Sequence, residues 1–180
     1  GGRGGMLGEV WWFRGLSRER VCSLATLGPV GFWPKMPGTW GSLLGLFYYT
    51  VVFHGLNGWA YGALLCGTLW ASVGICGAAA RHFGKKDPQC VILDEFAAIP
   101  VCFIGLGEFL DRAPAWPTLL LGFLLFRFFD IFKPLGIARL QNYPGGLGIV
   151  LDDGAAGLAT AVCLHGLAYF WGKAWLSLTL

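Results

Sequence analysis

Five runs of apolar residues separated by short polar turns set the plan of this chain: 42–54, 59–80, 91–107, 116–132 and 148–171. A helix that crosses a hydrocarbon core needs about 20 apolar residues, with a range near 17–25. The second and fifth runs are comfortable spans, and the third and fourth sit near the lower limit. The first is short, a partial span or one that extends back to Trp40. Ahead of them, residues 8–27 have the makings of an amphipathic surface helix. The pattern predicts an all-α fold: a polytopic membrane helical bundle of about four to five spanning or half-spanning helices. No internal repeat or low-complexity linker divides it.

Composition agrees. Of 180 residues, 56% are hydrophobic and 13% charged, against roughly 25% charged in typical soluble domains. The length suits one domain. A net charge of +3 is too small to argue for a nucleic-acid partner, so the basic residues matter by position. The six cysteines form no C-x-x-C pair and four lie in apolar runs, which speaks against a disulfide framework. Gly1–Gly5 reads as a tag remnant or the inside of a longer reading frame and is left out of the fold. Arg14, Arg18 and Arg20 interrupt any secretory signal pattern.

The loop charges assign sides. Arg14, Arg18, Arg20 and Lys35 precede the first run. Arg81, Lys85 and Lys86 follow the second, and Arg127, Lys133 and Arg139 mark the end of the fourth. The alternate loops are nearly free of Lys and Arg: "HGLNG" has none, and "GEFLDRAPA" has one arginine against two acids. By the positive-inside rule this fits five crossings with the N-terminus in the cytoplasm. Asp94 and Glu95 then start the third helix, Asp130 ends the fourth, and Asp152 and Asp153 start the fifth. Five of the ten acidic residues thus fall on the cytoplasmic face, together with the "PGTWGS" turn before the first helix.

Asp94 and Glu95 are about 100° apart on a helix. They could flank one ion, contact two, or simply favour the helix N-terminus. In "KKDPQC", Asp87 is a candidate cap and Pro88 sets the start of the helix. Arg127 and Asp130, spaced i, i+3, can pair as a plain salt bridge. The sharper alternative has Asp130 on a metal while Arg127 or Lys133 meets an anion. Pro134 ends that helix. In "PGTWGSLL", Thr39 or Ser42 could cap the helix, and its glycines and free N–H groups suit an anion. "PGGLG" before the paired aspartates is similar.

Five carboxylates in a low dielectric need cations. Hard oxygen ligands suit Mg²⁺ or Mn²⁺ rather than zinc, and the histidines, His54, His82 and His165, are scattered. A divalent ion beside arginine and glycine turns points to a phosphate-bearing substrate. Other phosphate chemistries fail on spacing. Four residues separate Cys76 from Arg81 where a cysteine phosphatase needs five, and Asp152-Asp153-Gly154 is not D-x-D. No G-K-[ST] follows either glycine turn, and "DGAAGL" departs from the D-G-x-x-A-R of the cytidine-diphosphate alcohol transferases. A cation transporter is the alternative of another class; it would place acids at several depths, preferably near the midplane.

Four segments, "WPKMPGTWGSL" (33–43), "DPQCVILDEF" (87–96), "FRFFDIFKPLGI" (126–137) and "GGLGIVLDDGAAG" (145–157), stand in the order of the phosphatidylglycerophosphatase A family. The chain resembles that family over most of 33–160. The resemblance implies Mg²⁺-dependent hydrolysis of phosphatidylglycerol phosphate to phosphatidylglycerol and phosphate, or a related lipid-phosphate phosphatase with broader headgroup tolerance. It implies one or two Mg²⁺ ions on Asp94, Glu95, Asp130, Asp152 and Asp153, which would also be the catalytic acids. Thr39, Gly41, Ser42, Arg127 and Lys133 would bind the phosphate, with Arg139 a headgroup contact. Pro37 and Gly38 belong to the same turn. The expected organisation is an arm at 6–32, a membrane phosphatase domain at 33–172 and a short tail at 173–180. The expected setting is the bacterial inner (plasma) membrane, with the site facing the cytoplasm. Two positions depart from the family pattern: Ala98 stands where glycine is frequent after the acidic pair, and "LGPVGF" replaces the usual glycine-rich lead-in.

Overall fold

The computed structural model describes residues 15–112 and 115–179, with side chains as far as residue 172. Gly1–Gly5 and the first part of the expected surface helix lie outside the described residues. Among the described residues seven α-helices follow in order: α1 Arg18–Ala25, α2 Pro37–Tyr48, α3 Gly58–Phe83, α4 Leu93–Cys102, α5 Gly107–Arg112, α6 Ala115–Phe132 and α7 Gly146–Thr179. A π turn, Tyr49–Phe53, prolongs α2, and 3₁₀ turns at Val30–Phe32 and Ile137–Asn142 precede α2 and α7. Among the described residues there is no strand.

Among the described residues three helices, α3, α6 and α7, are long and apolar enough to cross a membrane. Local chemistry fixes their ends. Asn57 caps α3 by accepting the N–H of Ala60 at 2.9 Å, and Gly84 stops it at φ 65°. α6 stops at Phe132, and Pro134 follows Lys133, which has φ 46°. α7 follows Gly145 and continues as helix through 173–179, the stretch expected to be a tail.

The first and third apolar runs make shorter helices. α4 has ten residues, about 15 Å at 1.5 Å per residue, or roughly half of a ~30 Å hydrocarbon core. Its run is apolar because protein encloses it: α4 lies against α2, α3 and α7, and Ala97 to Cys102 are all buried. Phe103 and Leu106 continue the buried path beyond it. A short helix is tolerated at such depth where its polar groups find protein partners. Accordingly, the Tyr61 hydroxyl donates to the carbonyl of Pro100.

Small residues bring the backbones together. A Cβ on Gly41 would lie 2.9 Å from the carbonyl oxygen of Ile92, and one on Gly45 would lie 2.7 Å from that of Phe96. On the other side, a Cβ on Gly157 would lie 3.1 Å from the carbonyl oxygen of Ala98. α4 is thus clasped between α2 and α7 at a distance only glycine allows.

Three local expectations are corrected. α2 begins one turn earlier than Thr39 or Ser42 would cap it: Met36, at φ 48°, precedes Pro37 at the first helical position. Thr39 and Ser42 lie within the helix, and Ser42 Oγ donates to Gly38 O at 2.9 Å. Asp87 and Pro88 do not start α4, because the chain first runs against α1, where the Ile92 N–H donates to Ala25 O at 2.9 Å. The surface helix is described only over Arg18–Ala25; Ser17 caps its start, and Gly28 turns the chain away at φ 67°.

The outward faces of α6 and α7 carry exposed Leu124, Phe128, Ile131, Leu158 and Val162, as lipid contact requires. Trp59 and Trp116 are exposed at one end, and Trp33 and Trp40 at the other, a placement that suits the two membrane interfaces.

Candidate metal and phosphate site

The start of α2, the start of α4, the end of α6 and the start of α7 meet at one end of the bundle. Each brings one motif. Pro37 pre-sets the first turn of α2, so Gly38 and Thr39 follow at once on its inner side. Gly38 abuts both Glu95 and Arg127: a Cβ there would strike Glu95 Oε1 and come within 3.3 Å of both terminal nitrogens of Arg127.

The five acids adjoin one another, Asp130 lying against Asp153, but they differ in their other partners. Asp94, Glu95 and Asp153 each offer a carboxylate oxygen within 4.8 Å of the others. Asp94 and Asp153 are buried at 5% and 3% exposure. Asp94 Oδ1 and Glu95 Oε2 are shielded from solvent and have no hydrogen-bond partner. Asp130 and Asp152 are instead held by cations. Arg127 Nη1 lies 2.6 Å from Asp130 Oδ2, and Lys133 Nζ lies 3.6 Å from Asp130 Oδ1. Lys133 Nζ also donates to Asp152 Oδ2. The split follows from helix geometry. Asp152 and Asp153 are neighbours on α7, so they point about 100° apart: Asp153 reaches Asp94 of α4 and also Asp130 of α6, whereas Asp152 meets Lys133 and Gln141.

Five carboxylates against two cations leave an excess of three negative charges if all are ionised. Burying unpaired charge is costly. The three clustered carboxylates and their orphaned oxygens therefore fit a hard divalent cation such as Mg²⁺.

The donors sit beside them. Thr39 Oγ1 and Arg127 Nε are both buried without a partner, an expensive state unless a ligand supplies the acceptor. Ser42 is spent on Gly38 O and lies 3.5 Å from Arg127 Nη1. Gly41 packs on Ile92 and supplies closeness rather than a donor. Arg139 stands exposed on the 3₁₀ turn Ile137–Asn142. Burial of the Lys133 ammonium opposes its charge. The hydrogen bond to Asp152 and the charges of Asp152, Asp153 and Asp130 outweigh that, so it holds its proton above the usual lysine range.

One residue of this constellation escapes sequence reasoning. Gln141 Nε2 donates to Asp152 Oδ2 at 2.8 Å. A neutral amide in a connecting turn carries no motif, so nothing in the sequence singles it out.

The comparisons bear on what this end of the bundle is for. The family described as Phosphatidylglycerophosphatase A matches residues 23–168, a range that holds every residue of the site. A Phosphatidylglycerophosphatase A of Escherichia coli is 33% identical over 149 residues, 81% of this chain and 79% of that protein. One of Haemophilus influenzae is 28% identical over 137 residues, 74% of this chain and 80% of that protein. A Bacteroides thetaiotaomicron protein, provisionally named a phosphatidylinositol-3-phosphatase, is 32% identical over 139 residues, 74% of this chain and 84% of that protein. No solved structure matches the chain. With the matched range spanning all four helix ends that build the acid and donor clusters, the chain belongs to the phosphatidylglycerophosphatase A family.

Proposed function

We propose that this protein is a Mg²⁺-dependent phosphatase that hydrolyses phosphatidylglycerol phosphate to phosphatidylglycerol and phosphate in phospholipid synthesis. The single observation that carries the reading is the pairing of two orphan sets. Buried acceptors without donors, Asp94 Oδ1 and Glu95 Oε2, stand near buried donors without acceptors, Thr39 Oγ1 and Arg127 Nε. A phosphate monoester bound with a cation completes both sets at once.

Asp94, Glu95 and Asp153 would hold the ion, with Asp130 and Asp152 beside them. When bound, Mg²⁺ supplies polarisation of a phosphoryl oxygen and neutralisation of its charge. Arg127 and Thr39 bind and orient the phosphoryl group, and Lys133 adds positive charge at the same level. Fixing the phosphate between α2 and α6 lowers the entropic cost of aligning it for in-line attack by water. One of the clustered carboxylates takes the proton of that water. The acyl chains stay in the lipid beside the exposed faces of α6 and α7, so only the headgroup reaches the acids.

The site would face the cytoplasm of a bacterial inner membrane, as the loop charges favour. A cation transporter is the weaker reading, because the acids gather at one end of the bundle and are not strung along its axis. The Bacteroides relative favours a second reading, a lipid phosphatase acting on other phosphorylated headgroups.

The test is phosphate release by purified protein in mixed micelles. Phosphatidylglycerol phosphate, phosphatidic acid and phosphatidylinositol 3-phosphate are compared with and without Mg²⁺. Metal-dependent release fastest from phosphatidylglycerol phosphate is expected. Comparable release from all three supports the broader enzyme, and none from any sinks the phosphatase.

A further inference from the structure

We infer that Gln141 is a positioning residue that acts through Asp152 to set the Lys133 ammonium for substrate phosphate; the inference rests on the phosphatase reading above. Asp152 is only 3% exposed, and its Oδ2 receives two donors, Lys133 Nζ and Gln141 Nε2. These donors come from two separate points of the segment between α6 and α7. Lys133 leaves α6, and Gln141 sits in the 3₁₀ turn Ile137–Asn142 that leads into α7.

The chemistry of the two donors differs in a useful way. A lysine ammonium has three N–H donors and an amide NH₂ has two, without charge. If Lys133 alone satisfied Asp152, the buried carboxylate would draw the ammonium fully onto itself. Gln141 shares that demand without adding a competing positive charge. Lys133 keeps donor capacity for a phosphate while staying 3.6 Å from Asp130. The backbone of Lys133 is held at φ 46°, a left-handed conformation a lysine adopts seldom, which persists only where the surroundings over-determine it. The shared oxygen of Asp152 is one such constraint. Asp152 is on this account turned away from the three-carboxylate cluster, and Gln141 keeps it turned.

Three readouts test this: Mn²⁺ binding followed by electron paramagnetic resonance, inorganic phosphate affinity by calorimetry, and phosphate release from phosphatidylglycerol phosphate. Gln141→Met keeps the length and packing of the side chain and removes the donor. It should raise KM and weaken inorganic phosphate binding by about 10-fold, with kcat changed much less and Mn²⁺ affinity unchanged. Asp153→Asn, in contrast, should lose Mn²⁺ binding. In an Asp152→Asn background, Gln141→Met should add little, because the two act as one unit. Gln141→Glu, which sets a carboxylate against Asp152, should be worse than Gln141→Met.

Wild-type KM and phosphate affinity in Gln141→Met, or Mn²⁺ loss matching that of Asp153→Asn, overturns the positioning role and leaves the phosphatase reading intact. A wild-type protein inert towards the lipid, whose phosphate affinity still falls in Gln141→Met, sinks the phosphatase and keeps the role of Gln141. A wild-type protein that neither hydrolyses the lipid nor binds phosphate overturns both.

Discussion

Gly38 of α2 and Glu95 of α4 meet with no room for a side chain between them: a Cβ on Gly38 would run into Glu95 Oε1. Because Arg127 lies against the same glycine, one added methyl group presses on a metal-ligand candidate and a phosphate-ligand candidate together. Gly38→Ala should displace one or both. A misplacement of about 1 Å at reacting groups costs on the order of 100-fold, so kcat/KM should fall by about that factor. Thermal unfolding in detergent should move far less. Full activity in Gly38→Ala would show that Glu95 and Arg127 have slack that the packing denies.

The contact of α3 with α7 sets where the paired aspartates stand. A Cβ on Gly146 would meet the backbone of Val73 and Gly77, the latter at 2.7 Å from its nitrogen. Backbone cannot step aside as a flexible side chain can. Gly146→Ala should therefore cost about 1–3 kcal/mol or more, the usual range for overpacking, and lower Tm accordingly. Gly67→Ala is the control: nothing lies within 4 Å of the place its methyl group would take, and it should be neutral or mildly stabilising.

Much of this was legible in the sequence, for physical reasons that differ by residue. Periodicity and length gave α3 and α7 because a full-length lipid-facing helix needs an unbroken apolar run. Hydropathy did not distinguish α4 from a span, because a helix buried among helices is as apolar as one buried in lipid. The acids could be gathered at one end from loop charges alone. Their division could not be read so. Asp152 and Asp153 look equivalent in a string, and only the packing of α4 on one side and Lys133 on the other separates them. Gln141 was invisible because its role depends on a fold of the 137–142 turn that no charge or periodicity announces. Thr39 could be proposed as a ligand, but its place inside α2 depended on Pro37 starting the helix earlier.

The three-carboxylate cluster predicts a metal requirement with a defined selectivity. A chelator should abolish phosphate release, and Mg²⁺ or Mn²⁺ should restore it, because all the offered ligand atoms are hard oxygens. Asp94→Asn and Asp153→Asn should each lose Mn²⁺ binding measured directly, whatever their turnover. Undiminished Mn²⁺ binding in both would place the metal elsewhere or remove it from the mechanism.

Arg127 offers the sharpest separation of charge from geometry. Its Nη1 is taken by Asp130 at 2.6 Å, while its Nε is buried and unpartnered. A lysine there keeps the positive charge and can still approach Asp130, but it lacks the fixed fork that holds one partner while presenting a donor to another. Arg127→Lys should fold normally and lose about 10²–10³ in kcat/KM, the range for removing one donor from a developing oxyanion. Arg127→Met should do more, because Asp130, 11% exposed at its side chain, then has Lys133 at 3.6 Å as its remaining cationic partner. Breaking a buried ion pair from one side costs about 3–5 kcal/mol, so this variant should also unfold at lower temperature. Adding Asp130→Asn to Arg127→Met should restore the stability without restoring turnover. Recovery of both would mean that Arg127 serves only to neutralise Asp130 and never touches the phosphate.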